Sequence, residues 1–286
     1  MIKTKDRLDL YTTEWTVSNA RACIVFTHGF GEHSGRYSHV AEEFNHAGYS
    51  FFAYDLRGHG RSEGPRGHTP SYEHLQDDLS RIITRTKQVA PRLRIVLFGH
   101  SLGGNITLRY ALQRPTGISA CIASAPWIRR AIEAPRWQTL LAGFMASVWP
   151  SFSQQTPSLA GMLTRDPAMA ALGEADTLNH RTMSARLFVD VSAAADQLLL
   201  DAPKFSVPLL VTHGAADPVI AFSGSREFVD RVGSTDKTLL SAEDGLHELH
   251  NDLDRSAYLR SVIDWLDARM TPPSNSRDMG FVTRFS

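Results

Sequence analysis

The chain has 286 residues, 42% of them hydrophobic and 21% charged, the make-up of an ordinary globular protein and not of a disordered or fibrous one. Its 30 basic and 30 acidic side chains cancel, and no basic run stands out, which argues against nucleic acid or an anionic lipid surface as a partner. The length suits one large core carrying an inserted segment, and no uninterrupted apolar run is long enough to span a bilayer.

Residues 1–10 mix Lys3, Lys5, Asp6, Arg7 and Asp9 and lack the apolar centre of a secretory leader, so a cytoplasmic protein is expected. Residues 8–17, rich in Thr, Tyr and Trp, read as an edge strand or hairpin. Residues 22–27 form a short continuous apolar strand of the kind buried on both faces of a parallel sheet. A glycine-dense loop follows, then a helix whose inner face is Tyr37, Val40, Ala41 and Phe44. Strand 49–54 comes next, then helix 72–89 with a stripe of Leu75, Leu79, Ile82 and Ile83 and Pro91 just beyond its end. Two more apolar strands, 95–100 and 118–124, flank a helix that Pro115 stops. Cys23 and Cys121 lie in two of these strands and read as buried reduced thiols.

After residue 125 the alternation breaks. Residues 126–204 hold helical pieces and several prolines but no convincing strand. The pattern resumes with strand 208–212, helix 223–232, strand 237–241 and helix 255–270, whose inward residues are Tyr258, Val262, Ile263, Trp265 and Leu266. Residues 271–286 carry two prolines and no period, so a loosely ordered tail is expected. The expected architecture is a mostly parallel sheet with helices on both faces. Its core is 1–125 and 205–270, and a helical cap, 126–204, is inserted after the sixth strand over the edge where ligands bind in such sheets.

The chemistry centres on Gly99-His100-Ser101-Leu102-Gly103, where an apolar strand meets a helix. A turn this sharp strains the serine and requires small residues two before and two after it, which Gly99 and Gly103 supply. A serine hydroxyl needs a histidine base, and the base needs an orienting carboxylate. In this architecture the chain order is serine, acid, histidine, and only His247 and His250 lie beyond the last candidate acids. Asp217, just after strand 208–212, is favoured over Glu243, and His247 over His250; Glu227 and Asp230 read as solvated and Glu243 and Asp244 as shaping the histidine loop. The amides of Leu102 and Phe30 are the candidate oxyanion donors, each worth about 3 kcal/mol of barrier. His28 reads as a structural brace, and Asp55 as bracing its loop with Arg57. The strand-end histidines His28, His33, His59 and His213 match no common zinc spacing, so neither metal nor cofactor is expected.

Three blocks, His28 to Tyr37 (His-Gly-Phe-Gly-Glu-His-Ser-Gly-Arg-Tyr), Asp55 to Gly64 and Gly99 to Gly104, resemble the monoacylglycerol lipase and lysophospholipase branch of the α/β-hydrolase fold. The likeness runs through Asp217 and His247-Glu248-Leu249-His250, over roughly residues 8–270. It implies an acyl-enzyme mechanism on a small lipid ester, most simply monoacylglycerol split to glycerol and fatty acid, with lysophospholipase or general carboxylesterase activity as alternatives. It also implies that Glu32, Arg36 and His250 sense the glycerol hydroxyls. Where the family has a cap tyrosine, this chain has Gly173 or Leu172. A wide apolar helix face in the cap (Trp137, Leu140, Leu141, Phe144, Met145, Val148 and Trp149) would line an acyl tunnel or rest transiently on a membrane surface, making the protein peripheral. A proline-iminopeptidase-like enzyme would need an acidic cluster for the substrate amine. A non-catalytic relative would lack a triad member, and here Ser101, Asp217 and His247 are all present.

Overall fold

The computed structural model describes residues 1–159 and 161–270, so the tail expected to be loosely ordered, 271–286, lies outside the described residues. A small hairpin of β1 (Ile2–Lys3) and β2 (Asp9–Leu10) opens the chain. Then come β3 (Thr12–Trp15), β4 (Cys23–Thr27), α1 (Ser38–His46), β5 (Ser50–Tyr54), α2 (Tyr72–Val89), β6 (Ile95–His100), α3 (Leu102–Gln113) and β7 (Ile118–Ser124). The intervening segment carries α4 (Arg136–Val148), β8 (Ser153–Gln155), α5 (Pro167–Ala175), β9 (Thr182–Ser184) and α6 (Ala185–Asp201). The chain ends with β10 (Leu209–Gly214), α7 (Phe222–Arg231), β11 (Lys237–Ala242) and α8 (Arg255–Met270).

Seven strands form the main sheet in the order β11-β10-β7-β6-β4-β5-β3, parallel except for β3, which runs antiparallel to β5. The strands are apolar throughout because both faces are covered. In β4, Cys23 and Val25 join the core beneath α2, α3, α6 and α7, while Ile24 and Phe26 join the core beneath α1 and α8. Five main-sheet strands precede the insert. Six were expected, because the 8–17 stretch divides: Asp9–Leu10 pairs in the small hairpin and Thr12–Trp15 in the main sheet.

The insert differs from the sequence reading in two ways. It contains a two-stranded antiparallel sheet, in which Ser153 faces Ser184 and Gln155 faces Thr182. These strands are three residues long, mostly polar, and separated by α5, so they show no period-2 signal. Its last helix, α6, packs into the core through Leu187, Val191 and Leu198. By contrast α4 buries only Ala146, leaving Trp137 63%, Leu140 75% and Phe144 62% exposed. Among the described residues no helix is long and apolar enough to cross a membrane.

Candidate active site

Ser101 sits between β6 and α3 with φ 52° and ψ −114°, a left-handed conformation that is strained for a side-chain-bearing residue. The turn is closed on both sides. Ser101 N–H donates to Ser124 O (2.9 Å), and Ser101 O accepts from Asn105 N–H (3.0 Å) and Trp127 N–H (2.9 Å). A Cβ on Gly99 would overlap Gly103 O and Thr107 Oγ1, and one on Gly103 would overlap Thr27 O. The two glycines are therefore required by close backbone approach, which is what holds the Ser101 turn in its strained form.

Asp217 lies in the turn after β10. Its Oδ1 accepts from Val219 N–H (2.7 Å) and Ile220 N–H (3.0 Å), and its Oδ2 accepts from His247 Nδ1 (2.6 Å). Because a carboxylate only accepts, Nδ1 of His247 carries the proton and Nε2 keeps its lone pair. Burial opposes charge on Asp217, but His247, His213 and the Ile220 amide outweigh it and hold the carboxyl well below the usual carboxylate range. Burial likewise opposes protonation of His247, yet the Asp217 carboxylate raises its pKa above the ordinary histidine value. Ser101 and His247 line one cavity of about 1220 Å³, and Phe30 lines it too. Leu102 opens α3 with its side chain in the core. Glu243 and Asp244 are exposed, and Glu227 pairs with Arg129 and Arg231.

Glu32 and Arg36 also line the cavity, in a buried network. Glu32 Oε1 accepts from Gly29 N–H (2.5 Å) and the Tyr37 hydroxyl (2.7 Å), and Oε2 accepts from Arg36 Nη1 (2.6 Å). Arg36 then reaches Glu248 through both nitrogens, Nη1 to Oε1 (2.9 Å) and Nη2 to Oε2 (2.8 Å). Gly29 precedes Phe30 and Glu248 follows His247, so one guanidinium ties the glycine-rich loop to the histidine loop. The sequence reading missed Glu248. Its only local signal was its place beside His247, because its partner lies 212 residues earlier.

His250 is not among the residues that line this cavity. Its ring stacks on Tyr37 (4.7 Å) and meets His100 edge-on (4.9 Å), and burial pushes its pKa down to about 3. Gly173 faces Arg36: a Cβ there would come 3.4 Å from Nη2. His28 is a brace, its Nδ1 donating to Gly29 O (2.7 Å) and its Nε2 accepting from Leu56 N–H (2.9 Å). Asp55 braces its loop through Ser34 and the Arg61 amide, while Arg57 pairs with Asp78 and Asp6 instead. Among the described residues no group of three or more side chains is placed to hold a metal ion.

Residues 18–254 match the family described as "Serine aminopeptidase, S33". The chain belongs to that family. A monoacylglycerol lipase of Mycolicibacterium smegmatis is 31% identical over 88% of this chain and 90% of its own length. An uncharacterized abhydrolase domain-containing protein of Dictyostelium discoideum is 32% identical over 95% of this chain, which spans 29% of that relative's length. A solved monoacylglycerol lipase of Paleococcus ferrophilus superposes with a TM-score of 0.84 at 31% identity, covering 91% of this chain and 99% of that one. The fold is that of the α/β-hydrolases.

Proposed function

We propose that this chain is a serine hydrolase of lipid carboxylic esters, with monoacylglycerol as its substrate. Ser101 Oγ attacks the ester carbonyl while His247 Nε2 takes the hydroxyl proton, and Asp217 steadies the imidazolium that forms. The amides of Phe30 and Leu102 receive the oxyanion. His247 returns the proton to the departing glycerol oxygen, leaving an acyl-Ser101 ester. Water, deprotonated by His247, then adds to that ester and releases the fatty acid.

The observation that carries the reading is the Asp217–His247 bond at 2.6 Å and a serine held at φ 52°, with His247 and the serine on one cavity that has two kinds of lining. Trp127, Trp137, Leu141, Met145, Phe188 and Ile220 offer apolar surface for an acyl chain. Glu32, Arg36, Glu248 and Asn179 offer polar groups suited to an alcohol. The names of the mycobacterial and archaeal relatives support the same substrate class. An aminopeptidase would need a carboxylate free to hold the substrate ammonium. Of the carboxylates that line the cavity, Glu32 and Glu248 are bound by Arg36 and Asp176 by His33, which leaves only the exposed Glu174 of the α5 helix, and no acidic cluster, for such a group. We further infer that residues 126–204 act as a cap and that the exposed face of α4 rests on the lipid surface that presents the substrate.

The test is turnover of monoacylglycerol, lysophospholipid and a proline-arylamide by the wild-type chain and by Ser101→Ala. Glycerol and fatty acid from monoacylglycerol, none from Ser101→Ala, and no arylamide cleavage are expected. Arylamide cleavage without ester cleavage would overturn the reading.

A further inference from the structure

Asp217 receives two histidines. His213, the penultimate residue of β10, is fully buried. Its Nε2 lies 3.1 Å from Asp217 Oδ2 and 3.0 Å from Ile220 O, and its Nδ1 lies 2.7 Å from Ser225 Oγ on α7. A carboxylate and a carbonyl both only accept, so Nε2 carries the ring proton and shares it between them. In the neutral ring Nδ1 then accepts, and the Ser225 hydroxyl is its donor. The ring also meets Phe222 edge-on (5.8 Å), which holds it in place. Tautomer and orientation are thus set from three sides.

We propose that His213, with its tautomer fixed by Ser225, is a positioning residue for the triad: it holds Asp217 Oδ2 at the angle that receives His247 and draws off part of its charge. The proposal rests on the serine-hydrolase reading above. Without His213, Oδ2 would keep one side-chain donor, the Nδ1–H of His247, and the carboxylate would be free to swing within the turn that Val219 and Ile220 hold at Oδ1. With it, all four donors are placed before substrate arrives, and Asp217 remains the carboxylate that supports an imidazolium without taking its proton. His213 also anchors the turn itself, because the same N–H reaches Ile220 O. A residue that only braced the turn would affect folding and leave the titration of His247 alone.

The sign of the expected shift follows from charge. Removing a neutral donor concentrates negative charge on Oδ2, which favours the imidazolium, so the acid limb of kcat/KM moves to higher pH. The other groups facing His247 are His100 (ring at 4.8 Å), Glu248 and Glu32, with His250 behind His100, and none of them is altered by the substitution.

The experiment measures kcat, KM and the pH profile of the full chain on a p-nitrophenyl ester for His213→Phe, His213→Gln and Ser225→Ala, beside Ser101→Ala and Asp217→Asn. His213→Phe removes the donor, and kcat is expected to fall about tenfold, the effect of one hydrogen bond to a charged group, with KM within about twofold. Its acid limb should rise by about half a pH unit. His213→Gln restores an N–H at the Nε2 position and should recover most of kcat and the wild-type limb. Ser225→Ala leaves the ring but frees its tautomer, and should shift the limb in the same direction by less. It decides the matter if His213→Phe fails to fold, and an unmoved limb there overturns the proposal. Equal loss in His213→Phe and His213→Gln, or an unmoved limb in a folded His213→Phe, also overturns it. Wild-type turnover by Ser101→Ala or Asp217→Asn would instead sink the triad reading on which it rests.

Discussion

Asp217→Asn is the substitution with the largest consequence for its size. The carboxylate is buried and takes four donors, two histidine N–H groups on Oδ2 and two backbone amides on Oδ1. Asparagine has one oxygen, so whichever way its amide turns, its NH2 faces two other N–H groups. The relief open to the site is for His247 to move its proton to Nε2 and accept at Nδ1, which leaves no base facing Ser101. The lost attraction between carboxylate and imidazolium, at a charge separation of about 4 Å and an effective dielectric constant of about 20, is about 4 kcal/mol. That corresponds to about three powers of ten in kcat. The acid limb should also fall. His247 is buried, and with the Asp217 charge gone its desolvation is no longer outweighed, so its pKa drops from above the ordinary histidine value to below it. Hydrolysis of a p-nitrophenyl ester across pH 5 to 9 reads both effects. A loss smaller than about tenfold with an unmoved limb would refute the reasoning.

Gly103→Ala should cost about 1–3 kcal/mol in a urea melt and most of the activity, because its methyl would overlap Thr27 O and push the loop that carries Phe30. Leu140→Glu with Phe144→Glu should lower turnover of monoacylglycerol in phospholipid vesicles by about tenfold or more while leaving a soluble short-chain ester unaffected, since both side chains are already exposed. Equal loss on both substrates would count against membrane contact. Cys23, whose thiol burial pushes up to about 12, and Cys121, higher still, should resist a thiol reagent in the native protein and react only on unfolding.

The parts of the candidate site that were readable from sequence are those whose cause is local or fixed by chain order. Gly99, Ser101 and Gly103 announce the turn because close backbone approach admits only glycine at two of the three positions. Asp217 and His247 follow because few acids and histidines lie after the right strands. Glu248 escaped because its meaning depends on Arg36, and the chain brings these together only through the packing of β4 and β11 loops. His250 was expected among the substrate contacts; three residues past His247 the chain has already turned its side chain onto Tyr37. His213 was considered as a metal ligand for its place at a strand end and set aside on spacing, and its three hydrogen-bond partners, on which the positioning role is proposed, lie beyond what spacing carries. The β8–β9 pairing was hidden because strands of three residues, mostly polar, carry no alternation.

The central claim is that Ser101 is the nucleophile, and the most direct measurement is covalent capture. The chain is treated with a fluorophosphonate, weighed intact, and digested to locate the adduct. The account predicts one adduct per chain, on Ser101, with ester turnover lost in step and no adduct on Ser101→Ala. An adduct on another residue, or ester turnover that survives in Ser101→Ala, would contradict it.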